Sequence, residues 1–574
     1  MTGHHFSAVI GIVSRTDEIG VVEEFFQLFK TPWEMYRSGK SYDVILVTGE
    51  EIPEAGAQLV LVFGAGQKKW DQQANLAARA CQPNARIEHH GTQFPLYGKV
   101  LTFEDSEHRV VCRTSDSGIA GVETSHGSSR VWRIGYDLFQ EIAFLLSSGQ
   151  PVENAGVPTL ELHIALLRNL ILDAGIPLLE IPPSPAGYDF SVCLTHDIDF
   201  VGIRRHKFDH TMWGFLFRAT LGAARDALTR KIRFARMFQA WKAAVSLPFV
   251  FLGWSRDFWV MFDWYMKAEK GLSPTYFFIP FKRRAGDKVP ACNPSRRASA
   301  YDIGDVTEWT DRLQAEGCEV GVHGIDAWHS VEMGREELQR VAAVTGRSEM
   351  GIRMHWLLRD ENTWRILEES GYSYDSTAGY NETPGYRNGT TQTFRPLTAL
   401  KLLELPMHIQ DGALFFSKRL GLSEHEAWER CEKFIASVKR LGGVLTILWH
   451  DRSPGPERFW GDFYIRLIQN LKSQKAWFGS AGQVVTWFRQ RREIKFERTE
   501  DARGMRRIKL HALGKRIEPP LTVRIASAAA IVSGGSARKV IEHSWDGESD
   551  IEFELPGGII TRAPEETLSV SLQE

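Results

Sequence analysis

The chain has 574 residues, enough for about three domains, and its 43% apolar residues can fill a core in each. Its 69 Lys plus Arg nearly balance 71 Asp plus Glu, which excludes a global field built for nucleic acid or for a polyanionic substrate. Six cysteines, at 81, 112, 193, 292, 318 and 431, form no Cys-x-x-Cys pair, and several sit in apolar runs, as expected of buried thiols in a reducing compartment.

The amino terminus carries a short apolar run over 6–13 without a basic start or a small-residue cleavage site, and no stretch reaches the roughly 18 apolar residues of a membrane span. A cytoplasmic location is the expectation. Residues 1–186 hold strand-like runs at 43–47 and 59–63 and two amphipathic helical stretches at 136–146 and 160–174, which predicts an α/β accessory domain. Within it, Gly64-Ala65-Gly66 with Lys68-Lys69 lacks the third glycine and the Gly-Lys-Ser/Thr ending of a phosphate loop, so it reads as an ordinary turn. The connector Ile181-Pro182-Pro183-Ser184-Pro185 closes the region. Residues 187–492 then alternate strands, at 190–194, 274–279, 319–323, 351–355, 402–405 and 444–449, with helical stretches, which predicts an α/β layer or barrel. From 505 to 574 the pattern changes to alternating runs such as 521–525 and 550–554 between Gly- and Ser-rich turns, predicting a small all-β domain.

The strands of the middle region end in polar residues. In Thr195-His196-Asp197-Ile198-Asp199 two carboxylates sit one residue apart where an apolar strand stops, so both face one spot. One can hold a metal while the other moves a proton; the alternative is an Asp-rich turn that caps a helix. Glu319-Val320-Gly321-Val322-His323 ends in a histidine, with Asp326, Trp328 and His329 beyond it. Arg353 and His355 share a strand face in Gly351-Ile352-Arg353-Met354-His355-Trp356; Arg353 could also simply pair with a core carboxylate. Tyr374-Asp375-Ser376-Thr377 adds an acid, and Leu448-Trp449-His450-Asp451 a last histidine. Five strands that each deliver a His, Asp or Arg at the carboxyl end match where barrel enzymes gather their chemistry.

In order and spacing these five motifs resemble those of the polysaccharide deacetylases, carbohydrate esterase family 4, over residues 187–492. The resemblance implies a distorted (β/α) barrel and a divalent metal, commonly zinc, that activates water to remove an N-acetyl group from a glycan. It implies Asp197 as general base, Asp199 and His323 as metal ligands, Arg353 as the arginine that orients the base, and His450 as the acid that protonates the leaving amine. Residues 1–186, with Gly135-Tyr136-Asp137-Leu138-Phe139 heading a helix, resemble more loosely a module that precedes such domains in bacteria and has no assigned activity. Where the family places its second metal histidine this chain has Ala327, so the third ligand is open among His329, Asp326 and His355, with His329 taken first. His355, Trp356, Asp375 and Trp449 are the candidate substrate contacts, the tryptophans, with Trp328 and Trp460, because ring faces stack on pyranoses or else because they are barrel packing.

A long insertion occupies 201–270. Between 201 and 247 it carries ten Lys or Arg against Asp209 and Asp226, interleaved with Trp213, Phe215, Phe217, Phe234, Phe238 and Trp241. Such a stretch suits contact with a membrane surface and its anionic headgroups, or else packs its aromatic stripe on the barrel; no motif supports nucleic acid. The substrate expected is therefore a glycan or a lipid-linked amino sugar. The competing readings are hydrolysis of another C–N bond, in a cyclic amide or formyl group, and a glycan-binding relative without catalysis.

Overall fold

A computed structural model describes residues 9–54, 56–104, 107–287, 297–500, 506–512, 514–527, 538–554, 558–560 and 569–573. Cys292 and parts of the expected carboxyl-terminal domain, at 528–537, 555–557 and 561–568, lie outside them.

The run that leads to the Asp-x-Asp pair forms strand β1, Phe190–Ile198, buried along its whole length. An apolar, two-sided strand belongs inside a parallel sheet covered on both faces. It is joined by β2 (Thr275–Phe278), β3 (Glu319–Gly324), β4 (Gly351–Met354), β5 (Tyr374–Asp375), β6 (Leu403–Glu404), β7 (Ile409–Gln410), β8 (Val444–Leu448) and β9 (Ala476–Phe478). The spatial order is β6-β5-β4-β3-β2-β1-β8-β7, with β9 also on β1, and every pairing is parallel. No ladder joins β6 to β7 among the described residues, so the sheet curls as a barrel opened on one side. All carboxyl ends of the strands then face one mouth, and the five polar motifs with them.

The amino-terminal sheet has eleven strands. Ile10–Val13, Trp33–Met35, Val44–Val47, Leu59–Phe63 and Ser129–Ile134 pair in parallel, and hairpins continue the sheet antiparallel. These hairpins escape the sequence pattern because strands such as Ala78–Pro83 alternate only between half-buried and exposed residues. Two helices follow at Leu138–Ser147 and Thr159–Asp173, the first capped by Asp137, which accepts from Gln140 N–H at 3.1 Å. The turn at Gly64 is structural: Lys68 folds back to donate to the carbonyls of Thr48 and Gly49.

The tail forms two four-stranded antiparallel sheets, and one of them takes Leu178–Glu180, from before the barrel, as its edge strand. The other begins at Lys495–Glu500, ahead of the expected start at 505. Five cysteines, all but Cys292, are unpaired thiols.

The insertion folds as helices, among them α1 (His210–Phe217) and α2 (Phe234–Phe251), around a hydrophobic cluster of its own that includes Met212, Phe215, Ala240, Leu247 and Trp259. The aromatic stripe does not pack on the barrel. Of its six aromatics only Phe215 is buried. Along α2, Met237, Ala240, Ala243, Leu247 and Val250 face the cluster, whereas Phe234, Phe238, Trp241, Val245 and Phe249 repeat at helical spacing on the outer face. Twelve of the seventeen exposed large apolar side chains among the described residues fall between Phe208 and Trp254. No described helix is long and apolar enough to cross a membrane.

Candidate active site

The mouth of the barrel encloses a cavity of about 590 Å³ lined by Asp197, Asp199, His323, His355, Trp356 and His450, with α1 and its preceding loop forming one wall. Asp197, at the end of β1, is buried and held by Arg353 from β4: Arg353 Nη1 donates to Asp197 Oδ1 at 3.0 Å and to Thr195 Oγ1 at 2.7 Å. Ser376 fixes the remaining edge of the guanidinium, accepting from Nε and Nη2, and the guanidinium stacks over Phe277. The charge pair is thus out of water, with the guanidinium hydrogen-bonded through Nε, Nη1 and Nη2, which helps a buried ion pair to be tolerated.

Just beyond, Asp199, His323 and His355 converge, their ligand atoms all within 4.8 Å of one another. His323 Nδ1 lies 2.9 Å from the Arg353 carbonyl, so it carries the proton and leaves Nε2 with its lone pair toward Asp199, 3.4 Å away. His355 Nδ1 stands 2.9 Å from His323 Nε2 and 3.2 Å from Asp199 Oδ1. Asp199 Oδ1 is shielded from solvent without a hydrogen bond. Burial opposes charge on Asp199, yet His355, His323 and His450 hold its carboxyl well below the usual range, and burial pushes His355 down. An ionised carboxylate oxygen and imidazole lone pairs around one point are the donor set of a catalytic zinc or similar divalent cation, with room left for water or substrate.

The third element of the cavity is His450, after β8. Its Nδ1 meets Asp411 Oδ1 at 2.5 Å, and Asp411 Oδ2 accepts from the His450 N–H at 2.8 Å and from the Ser453 hydroxyl. Burial lowers the imidazole, but Asp411 first, then Asp199 and Asp197, raise it to about 9. Tyr265 O–H fixes the His450 carbonyl. His450 therefore holds a proton near neutral pH, with Nδ1 toward Asp411 and Nε2 as its other ring nitrogen.

Some expected residues stand elsewhere. His329 does not join the cluster: its Nε2 lies 3.3 Å from Asp326 Oδ1, which also accepts from the Asp287 N–H, and neither residue belongs to the group around Asp199. His355, rather than His329, stands beside Asp199 and His323. Trp449 is not at the mouth. It is fully buried on the helix side of β8, stacked on Phe463 and Tyr464, because it shares the face of Ile447 while His450 takes the opposite one. Asp375 is likewise buried behind the site, its carboxyl raised well above normal by burial and by Glu404, and it accepts from Thr377 Oγ1. Trp356 does line the cavity, in a left-handed turn at φ 66° beside His355. Trp460 packs on Phe415, and Trp328 on His329. Asp411 escaped sequence reasoning, since a lone acid after a two-residue strand leaves no pattern.

No family model matches the chain, and no curated protein does. Solved structures similar to it include Agd3, described as a novel carbohydrate deacetylase (10% identity, TM-score 0.37, covering 96% of this chain and 99% of that one). Others are a "probable polysaccharide deacetylase" of Pseudomonas aeruginosa PAO1 (15%, 0.33, 56% and 97%) and Puue allantoinase (14%, 0.32, 53% and 92%). With identities and TM-scores this low, the chemistry below rests on this chain's own residues.

Proposed function

We propose that the chain is a metal-dependent hydrolase of the polysaccharide deacetylase type, removing an N-acetyl group from an amino sugar. The observation that carries this reading is the convergence of Asp199, His323 and His355 in one cavity with the Arg353-held Asp197 and the Asp411-held His450. Bound there, a divalent cation would supply a Lewis acid, acidifying water and polarising the acyl oxygen. The protein's own groups then divide the proton work. Asp197, oriented by Arg353, takes a proton from the attacking water, and His450 delivers one to the departing amine nitrogen. Acetate release from N-acetylated chitooligosaccharides or a lipid-linked amino sugar tests this. D197N should lower the rate on the order of 10²–10⁴-fold with metal content unchanged. Release of formate, or opening of a cyclic amide, in place of acetate would move the reading to a neighbouring C–N bond.

The unpartnered face of α2 supports a finer reading: the enzyme docks on an anionic membrane surface and takes a lipid-linked substrate there. Arg225, Arg230, Lys231, Arg233 and Lys242 stand exposed around the aromatic stripe, and Phe208 and Trp254 are 78% and 76% exposed at its ends. Cations around protruding aromatics match the interface of an anionic bilayer. The patch adjoins the cavity through His210 and Thr211 at the start of α1. Sedimentation with phosphatidylglycerol vesicles should weaken on the order of tenfold in R230E/K231E/R233E. Arg236 is left in place because it bridges Glu424 and Asp462. Unchanged sedimentation of the triple variant would remove the membrane from the reading and leave the chemistry.

A further inference from the structure

The cavity wall next to α1 is unusually cationic for a site that cuts neutral amides. Several of its arginines are satisfied within the protein. Arg205 pairs with Asp305, Arg297 donates to the carbonyls of Ala285 and Ile325, and Arg419 donates to Gln410 and Asn381. Arg452 and Arg458 are different. Neither forms an ion pair among the described residues; Arg458 donates to the Ser453 hydroxyl at 3.3 Å and otherwise lies over the Phe416 and Trp460 rings. Arg452 keeps Nε and Nη1 shielded from solvent with no hydrogen-bond partner, although Asp451 and Glu457 are near enough to act on it electrostatically. Burial, with Arg458 and Arg218 close by, pulls its guanidinium down to about 9.

Two rings fix this group: Arg452 lies 3.9 Å over Phe200 and 4.7 Å over Trp259. Phe200 follows Asp199 in sequence, and Arg452 follows His450 by two residues, so the guanidinium is anchored between the strand ends that carry the reacting groups. A guanidinium whose shielded N–H groups lack acceptors is costly, and its planar fork is suited to a carboxylate or phosphoryl group. We propose that the substrate carries an anionic group, phosphoryl or carboxylate, which docks on Arg452 and Arg458 while the acyl-bearing sugar faces Asp197. This rests on the reading of the cavity as the site for an acylated amino sugar.

Binding to zinc-loaded protein carrying D197N tests it without turnover. N-acetylglucosamine, N-acetylglucosamine 1-phosphate and a glucuronyl-N-acetylglucosamine disaccharide are compared by calorimetry. One of the two charged sugars should bind about tenfold tighter than the neutral one, with an advantage that shrinks as salt rises; which one wins tells phosphoryl from carboxylate. R452Q should abolish that advantage and leave the neutral sugar unchanged, and R452K should retain part of it. If R452Q does not fold, R458Q carries the same comparison. Equal affinities for all three sugars, or equal loss of charged and neutral sugars in the variant, would overturn the proposal and make Arg452 a packing residue. An anion preference without acetate release in the parent enzyme leaves this inference standing and removes the deacetylase; acetate release without the preference does the reverse.

Discussion

The molecule contains two sheets with a run of parallel strands, and they differ in how the charged residues near the carboxyl ends of those strands are partnered. In the amino-terminal sheet Lys68, Asp71, Arg133 and Thr48 are already partnered. Arg133 donates to Asp71 and to the carbonyls of Gly64, Gly66 and Ile134, Lys68 donates to Thr48 and Gly49 carbonyls, and Thr48 Oγ1 donates to Glu18. In the barrel, Asp199, His323 and His355 point at a common centre and Asp199 Oδ1 has no hydrogen bond. Position at a strand end is therefore not sufficient for function. What separates scaffold from site is whether the buried polar groups are already paired, because native interiors rarely leave such groups unpaired without a reason.

The widest gap between the two sheets should appear in metal content. D199A and H355A are expected to lose a bound zinc, read as about one per chain in the parent by elemental analysis, and with it all acetate release. H329A should keep the metal, since His329 turns to Asp326. A variant H329A that loses the metal while H355A retains it would reverse the assignment.

The closed sheet should answer in stability instead. Arg133 and Asp71 are both buried, with Arg133 fully so. R133L strands the carboxylate of Asp71 and removes donors from three carbonyls, so unfolding in urea should lose about 3–5 kcal/mol with no change in zinc content. An equal loss of metal in R133L would show that the two sheets are coupled and would weaken the contrast.

The same contrast explains what could be read from the sequence. The barrel strands were legible as apolar runs bounded by turns, and Asp197, Asp199, His323, Arg353 and His450 stand out in sequence because each ends or punctuates such a run. All five meet in the cavity or its immediate support. The choice of His355 over His329 was not legible, because it depends on Asp326 capturing the loop after β3. Trp449 and Asp375 were misplaced although period-two alternation assigns Trp449 to the face of Ile447, away from His450. Neither Asp411 nor Arg452 belongs to a run, and only the fold shows one partnered and the other not. In the tail, the pairing of Leu178–Glu180 with Leu521–Ser527 joins segments on either side of the barrel, which no local pattern encodes.

A smaller effect tests the pair of His450 and Asp411, which is closed as the buried pairs of the amino-terminal sheet are. Asp411 lifts His450 from 6.5 to about 9, with Asp199 and Asp197 adding to the lift. A cation at Asp199 would offset those two carboxylates and leave Asp411 as the main support. A raised pKa keeps the imidazole protonated at neutral pH, so the rate should fall on the alkaline side as His450 deprotonates, between 6.5 and about 9. D411N keeps an oxygen for Nδ1 but removes the charge, so the alkaline limb should move to lower pH, with a loss on the order of tenfold at mildly alkaline pH and less below it. The amide also turns a nitrogen toward the His450 N–H now bonded to Asp411 Oδ2, so some fold stability will be lost as well. The position of the limb, unlike the rate at one pH, is independent of how much enzyme is folded. An unshifted limb in D411N would show that the acid is tuned by the carboxylates of β1 rather than by its own partner.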